Sequence, residues 1–505
     1  MSGVFDLLVV GGGINGSGIA RDAAGRGLKV LLCEAGDLAG ATSSASSKMI
    51  HGGLRYLEHY EFRLVRESLA EREILLRIAP HLVRPTEFVL PDGEGSRPHW
   101  MVRAGLFLYD RLGGAHTLPA ARSVDLRSDQ RGVPLNAAAR RGFVYSDCRV
   151  DDARLVVANA RDAAAHGAEV VTRTALVAAR RQGGEWRAEL QAESGGRREV
   201  AARVLLNAAG PWAAEVAHRA GLTTRARLRL VKGSHIVVPR LYPGEHAYLL
   251  QNDDHRVVFV IPFEREFTLI GTTELPFTED PAAVTASEEE IEYLCRAVGR
   301  WFRAAPAPGD VAWSFAGVRP LYDDRAGNMA AVTRDYVLEL DEAGAPALSI
   351  FGGKLTTYRR LAEHALTRLA AHLPGAGPAW TAQAPLPGGA DFHPDIAGEL
   401  RRRYPFLDGA AAERLAHSYG SEAYAIFGEQ DVGRDFGHGL LQAEVDWLVE
   451  QEWARTAEDI LWRRSKLGLL FGPAETEALR DYLARPATVR PAAATAAAAT
   501  QSRGR

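Results

Sequence analysis

The chain has 505 residues, a net charge of −3, and 47% hydrophobic against 24% charged residues, enough apolar material for several domains and a large core. That charge balance excludes a protein that grips nucleic acid through a broad basic face. Three distant cysteines, Cys33, Cys148 and Cys295, exclude a disulfide scaffold or a zinc ribbon and predict a reducing compartment.

In chain order, residues 5–10 are a short apolar run of the kind a buried parallel strand shows, followed by glycines, a helix from Ile14 to Arg26 and a second apolar run from Lys29 to Cys33. An amphipathic helix is predicted from Tyr60 to Ala79, closed by Pro80, and another over 151–165, where Asp151 and Asp152 are available to cap it. Strands are expected over 168–173, 175–180, 186–191, 200–207, 231–238, 256–262, 267–272 and 311–318, interrupted by a helix over 287–303. A last strand, Ala347 to Phe351, runs into Gly352-Gly353 and a helix from about Leu355 to His372. The Pro/Gly-rich passage Pro374 to Pro394 reads as a linker, the pattern is then helical to about 485, and the Ala/Pro/Thr/Arg tail predicts disorder. The expected domains are 1–385, whose β-rich part lies mainly at about 80–145 and 220–335, a helical domain over 386–485, and a tail over 486–505. The apolar start stops at glycines and no stretch reaches the about 18 apolar residues of a spanning helix, so a cytosolic location is expected, with attachment to a membrane surface left open.

The segment Gly11-Gly12-Gly13-Ile14-Asn15-Gly16 is a G-x-G-x-x-G directly after a strand and opening a helix. Gly11 allows the tight turn, Gly13 lets backbone approach a pyrophosphate, Gly16 lets helix and strand close, and the helix N-terminus with Ile14 and Asn15 favours the negative charge. Glu34, ending the second strand, is placed to bond ribose hydroxyls, and the lack of an arginine there argues against a 2′-phosphate. No second such motif follows, which favours FAD over a nicotinamide cofactor. So does 204–212, an apolar strand ending in small residues, where Ala209 and Gly210 let backbone meet the cofactor again. A glycine turn without a ligand is the bland alternative.

Residues 42–58 (TSSASSKMIHGGLRYLE), Lys232-Gly233-Ser234-His235, Gly317-Val318-Arg319-Pro320, Thr333-Arg334-Asp335-Tyr336 and 351–359 (FGGKLTTYR) resemble the signature of the FAD-dependent glycerol-3-phosphate dehydrogenases. The resemblance runs from about residue 5 to about 470 and is nearest to the bacterial respiratory enzymes, since the insertion usual in the oxygen-using oxidases is not found. It implies an α/β FAD-binding Rossmann-like domain of the glutathione-reductase or D-amino-acid-oxidase type, a β-rich substrate domain and a C-terminal helical cap. It also implies oxidation of sn-glycerol 3-phosphate to dihydroxyacetone phosphate, electrons passed to ubiquinone or menaquinone, a monotopic seat on the inner face of the cytoplasmic membrane, and commonly a homodimer.

Only five lysines (Lys29, Lys48, Lys232, Lys354, Lys466) stand among 60 basic residues, and three of them lie in these blocks, which points to places where a compact ammonium is wanted. A phosphate monoester needs several convergent cations. Arg55, Arg319, Arg334 and Lys354 are candidates, with Tyr56 beside Arg55; the resemblance supports Arg319 and Arg334 most and shares Lys354 between substrate and flavin. Given the resemblance, His235, at a strand entrance, is the candidate base or orienting group; Arg319 is the alternative, acting chiefly by stabilising a developing alkoxide, and His51 is a further candidate better read as ordering the flavin loop. Thr42, Ser43, Ser44, Ser46, Ser47 and Lys48 read as donors to the FAD pyrophosphate and ribityl chain, with Gly52 in the turn that follows. Gly353, Leu355 and Thr356 read as the return of backbone to the isoalloxazine, the next helix aiming its positive end there. Trp447, Trp453 and Trp462 with Arg463, Arg464 and Lys466 form either a basic interfacial face or, as the favoured reading, packing for the helical domain. Rival functions are an amine or amino-acid oxidase on the same fold and a non-catalytic flavin-binding redox sensor.

Overall fold

A computed structural model describes residues 3–93, 97–114, 117–254, 256–322, 335–428 and 432–485, so Arg334 and the tail 486–505 lie outside the described residues. Phe5–Val10 is the central strand of a parallel sheet, flanked by Val30–Cys33 and Arg197–Asn207. Glu169–Val171 and Ala347–Gly352 extend it in parallel on the two sides, and Tyr336–Asp341 adds an antiparallel edge. Leu7, Leu8 and Val9 are wholly buried, which is why this strand reads as an unbroken apolar run instead of alternating. Leu7 and Val9 face one core with Ile19, Ala163 and Leu361, residues of the helices Ile14–Gly25, Asp152–Ala165 and Tyr358–Arg368. Phe5, Leu8 and Val10 face another with Trp186 and Leu190 of the hairpin Thr174–Gln182/Glu185–Ala192. This is the FAD-binding Rossmann-like architecture that the sequence implied.

The second sheet is mixed and centres on Leu228–Pro239, which pairs antiparallel with Trp313–Tyr322 and Phe267–Gly271. Val257–Phe263, Ala247–Gln251, Val83–Pro91, Arg141–Val150 and Met49–Ile50 continue it in that order. The helix Glu288–Gly299, opened by a Ser287–Glu290 capping box, covers one face through Leu294 and Val298 against Ile236 and Val238. Because strand side chains alternate, His235 points to the other face, where its register partners are Phe315 and Gly271.

Three local expectations change. Within 80–145 the chain forms a helix, His99–Leu112, between two strands; apolar residues lie on its exposed face as well as on its buried one. The helix expected from Leu355 begins later, at Tyr358, after a 3-10 turn Leu355–Thr357. The passage read as a linker is fastened down in its first part: Arg21 lies 5.0 Å from the Trp380 ring centroid and donates to the Ala384 carbonyl at 2.9 Å, and the Trp380 indole donates to the Asp22 carbonyl at 3.1 Å. The chain divides into compact units at Ala390/Asp391.

The second unit carries the helices Ile396–Arg403, Gly409–Tyr419, Gln442–Gln451 and Pro473–Leu483 around Leu400, Leu415, Val445, Leu448 and Leu479. Trp447 and Trp462 pack on this core, Arg464 and Lys466 are buried, and Arg463 pairs with Asp459, so these side chains serve packing and not a basic interfacial face. No helix of the described residues is long and apolar enough to cross a membrane.

Candidate active site

Gly11 has a left-handed φ of +110°, and a Cβ there would stand 2.5 Å from the Ala208 carbonyl oxygen, so only glycine permits this turn against the 204–212 segment. The Gly12 amide donates to the Glu34 carboxylate at 2.6 Å and the Gly36 amide to its other oxygen at 2.8 Å. Burial raises the Glu34 carboxyl above the usual range, and the two amide bonds oppose that rise. Ser43 Oγ accepts from the Ile14 amide at 3.0 Å, in the first turn of a helix whose N-cap, Gly13, supplies no side chain. Asn15 Nδ2 donates to the Gly352 carbonyl at 3.3 Å, so the first glycine turn and the Gly352-Gly353 turn meet. Gly16 packs against Gly11, and Ala209 and Gly210 follow Ala208 at the same place.

The segment that follows the strand Val30–Cys33 and Glu34 crosses to the second sheet. Thr42 Oγ1 donates to the Val318 carbonyl at 2.6 Å, and a Cβ on Gly317 would come 2.7 Å from Ala45 Cβ, a close approach that excludes a side chain. Ser44 donates to its own Ala41 carbonyl, Ser46 bonds Asp152, and Ser47 Oγ lies 2.9 Å from His235 Nε2. Lys48 pairs with Asp152 at 2.8 Å, and its ammonium sits 5.3 Å from the Phe315 ring centroid. His235 stacks on the same ring at 4.9 Å with an interplanar angle of 11°. Most hydroxyls of the segment therefore hold protein together, and Ser43 is the one seated at the helix N-terminus.

His235 is 1% exposed, and its Nδ1 is buried without a hydrogen-bond partner among the described residues. Burial first, then the positive charges of Arg319 and Lys48, hold its imidazole well below the ordinary histidine value. Arg319, on the adjacent strand, donates to Thr272 Oγ1 at 3.0 Å and lies 3.3 Å from Glu274. A second cationic centre lies by the Gly352-Gly353 turn. Lys354 Nζ donates to the His51 carbonyl at 2.7 Å and sits 5.0 Å from the Tyr56 ring centroid. The His51 amide donates to Thr356 Oγ1 at 3.2 Å, next to Leu355, and burial followed by Lys354 lowers the His51 imidazole. The Gly52 amide donates at 2.8 Å to the hydroxyl of Tyr109, which in turn donates to Asp147. Arg55 is half-buried on the 3-10 turn Leu54–His59 that also carries Tyr56.

Sequence reasoning missed Asp152, Phe315, Thr272, Glu274 and Tyr109. Only Asp152 left a signal: two consecutive aspartates precede that helix, and one N-cap suffices. Asp151 is the cap, accepting from the Arg154 amide at 3.1 Å.

These residues suit a dinucleotide. Asn15 Oδ1 is buried beside the glycine turn without a partner among the described residues, and a Cβ on Gly13 would meet only Ser43 Oγ, at 3.2 Å, so this stretch of backbone is open to a close neighbour.

Residues 6–359 match the family described as FAD dependent oxidoreductase, and residues 379–486 match the C-terminal domain of alpha-glycerophosphate oxidase. A glycerol-3-phosphate dehydrogenase of Pseudomonas aeruginosa is 54% identical over 95% of both chains. A D-erythritol 1-phosphate dehydrogenase of Brucella abortus is 51% identical over 94% of this chain and 97% of its own. The crystal structure of a glycerol-3-phosphate dehydrogenase from Bacillus halodurans complexed with FAD superposes with a TM-score of 0.75 at 26% identity, covering 95% of this chain and 94% of that one.

The room around Gly13 generates a test. Gly13→Val is expected to fold with a thermal midpoint close to that of the apo wild type yet to purify without flavin absorbance, because its side chain occupies the pyrophosphate's place. A yellow, fully loaded variant contradicts this.

Proposed function

Because the chain belongs to the FAD-dependent oxidoreductases, within the glycerol-3-phosphate dehydrogenase branch, we propose that it oxidises the secondary hydroxyl of sn-glycerol 3-phosphate to the ketone of dihydroxyacetone phosphate. The observation that carries the chemistry is the meeting of Ser47 and His235 beside Arg319, where the segment Thr42 to Lys48, which follows the strand Val30–Cys33, lands on the second sheet. Gly11, Gly13, Asn15, Gly16, Glu34 and Ser43 would hold FAD, which would supply the two-electron acceptor for the hydride of C2.

The protein's own groups do the rest. His235 is neutral at working pH and takes the hydroxyl proton as the hydride departs. Arg319 and Lys48 are the cations that, after burial, depress its basicity. Arg319 steadies the negative charge that develops on the C2 oxygen. Lys354, with Tyr56 and Arg55 nearby, holds the anionic end, and Arg334, outside the described residues, joins them in this reading. Ser47 keeps the imidazole in one orientation, and burial of the ring against Phe315 excludes water.

A second substrate is favoured by a specific finding: a relative 51% identical is a D-erythritol 1-phosphate dehydrogenase. Both compounds join a secondary alcohol to a phosphate. Anaerobic mixing of holoenzyme with each separates them. Glycerol 3-phosphate is expected to bleach the flavin at the higher rate, and Arg319→Ala to slow that step about 10²- to 10³-fold with FAD retained. Faster bleaching by D-erythritol 1-phosphate reassigns the substrate, and bleaching by neither overturns the reading.

Quinone, a membrane surface and a homodimer complete this proposal as partners. The helix His99–Leu112 supports the membrane part: Trp100 is 70% exposed, Met101 44% and Phe107 58%, with Arg103 and Arg111 on the same helix. Its buried face carries Tyr109, which bonds Gly52, so a lipid seat there lies close to the flavin turn from which a quinone is reduced. Replacing Trp100 and Phe107 by Ser is expected to lower co-sedimentation with anionic vesicles about tenfold. Unchanged binding moves the seat elsewhere.

A further inference from the structure

We infer that Asp152 is a positioning residue for the reaction: by holding Ser46 and Lys48 from behind, it fixes the turn that sets Ser47 against His235. The inference rests on the reading of His235 as proton acceptor. Asp152 is wholly buried at the start of the helix Asp152–Ala165. Its Oδ2 accepts from Ser46 Oγ at 2.7 Å and from the Ser46 amide at 3.3 Å. Its Oδ1 accepts from Lys48 Nζ at 2.8 Å and from the Ala153 amide at 2.9 Å. Lys48 Nζ also donates to the Ser44 carbonyl at 2.9 Å, and the Lys48 amide to Ser46 Oγ at 2.9 Å. Four donors converge on one carboxylate, and Asp151 already caps the helix, so helix capping does not account for Asp152.

The backbone supplies the second argument. Lys48 has φ +55°, a left-handed conformation that a side chain adopts at a cost and keeps only where its surroundings over-determine it. Asp152 holds both sides of that residue, through Ser46 before it and through its own ammonium. With Ser46 turned towards Asp152, Ser47 points the other way, into hydrogen-bond distance of His235.

Charge supplies the third. Two cations act on His235, Lys48 from the serine segment and Arg319 from the strand Trp313–Tyr322. Each has its own carboxylate, Asp152 for Lys48 and Glu274 for Arg319. The remaining elements against the ring present Phe315, Ser47 and Gly271, none of them charged. Asp152→Asn leaves the Lys48 charge uncompensated and makes His235 harder to protonate, so the acid limb of kcat/KM moves to lower pH. Lys48→Met removes a cation, and the limb moves to higher pH.

The test uses holoenzyme with FAD content checked. Asp152→Asn is expected to cut kcat/KM on the order of ten- to a hundredfold, mostly in kcat, and to shift the acid limb down, with Lys48→Met shifting it up. Shifts in the same direction, or Asp152→Asn within threefold of wild type with an unmoved limb, overturn the proposal. His235→Asn separates the premise: if its residual activity keeps the acid limb, the reading of His235 fails first. A second readout does not depend on turnover. Diethyl pyrocarbonate modification of His235, followed by peptide mass spectrometry, is expected to run at least severalfold faster in Asp152→Asn, and an unchanged rate counts against the proposal. Should that variant not accumulate, Ser46→Ala, which removes one of Asp152's bonds and leaves the ion pair, is expected to give the same acceleration, and no acceleration there also overturns it.

Discussion

The arrangement depends on seven residues, Thr42 to Lys48, that follow the strand Val30–Cys33 and Glu34 and reach the strands Leu228–Pro239 and Trp313–Tyr322. A chain segment crossing between sheets has backbone and hydroxyl groups that require partners once buried. Here each end is sewn down: Ser43 to the first helix, Thr42 to Val318, Ser46 and Lys48 to Asp152, Ser47 to His235. Gly317 has no side chain because Ala45 lies where one would stand. One short segment thereby reaches both the first helix, through Ser43, and His235, through Ser47.

That geometry sets the electrostatics. A histidine buried between an aromatic ring and two cations disfavours its own protonation, which suits a group that must arrive at the reaction unprotonated. Each cation has a carboxylate beside it, Glu274 for Arg319 and Asp152 for Lys48. Burial alone lowers the value of such a ring, and the two cations lower it further.

Much of the fold was legible because its signals are local. Gly11 to Gly16, the apolar strand before them and Glu34 fall within one strand–helix–strand unit, and spacing alone identifies them. The residues on which the proposal turns stand out in the sequence, since His235, Arg319 and Lys354 each sit in a distinctive string. Their partners were not. Ser47 and His235 are 188 residues apart, and no periodicity encodes which hydroxyl of a serine run will face a ring and which will face Asp152. The helix His99–Leu112 escaped because residues that meet the core and residues that meet solvent are both apolar along it. Pro374 to Pro394 looks like a linker by composition, yet Trp380 and the Ala384 carbonyl tie its first part to the first helix through Arg21 and Asp22, contacts between distant residues that composition does not encode.

The central claim is that His235 is held neutral beside Arg319 and Lys48 and so can take a proton. Nitrogen NMR of holoenzyme labelled selectively at histidine, with His235 assigned from the His235→Asn spectrum, reads that protonation state directly. The account predicts a neutral imidazole that stays neutral as the pH falls through about 6.5, the ordinary histidine midpoint. An imidazolium at His235 in neutral solution would contradict it, because a ring already carrying both protons has no lone pair to offer the substrate.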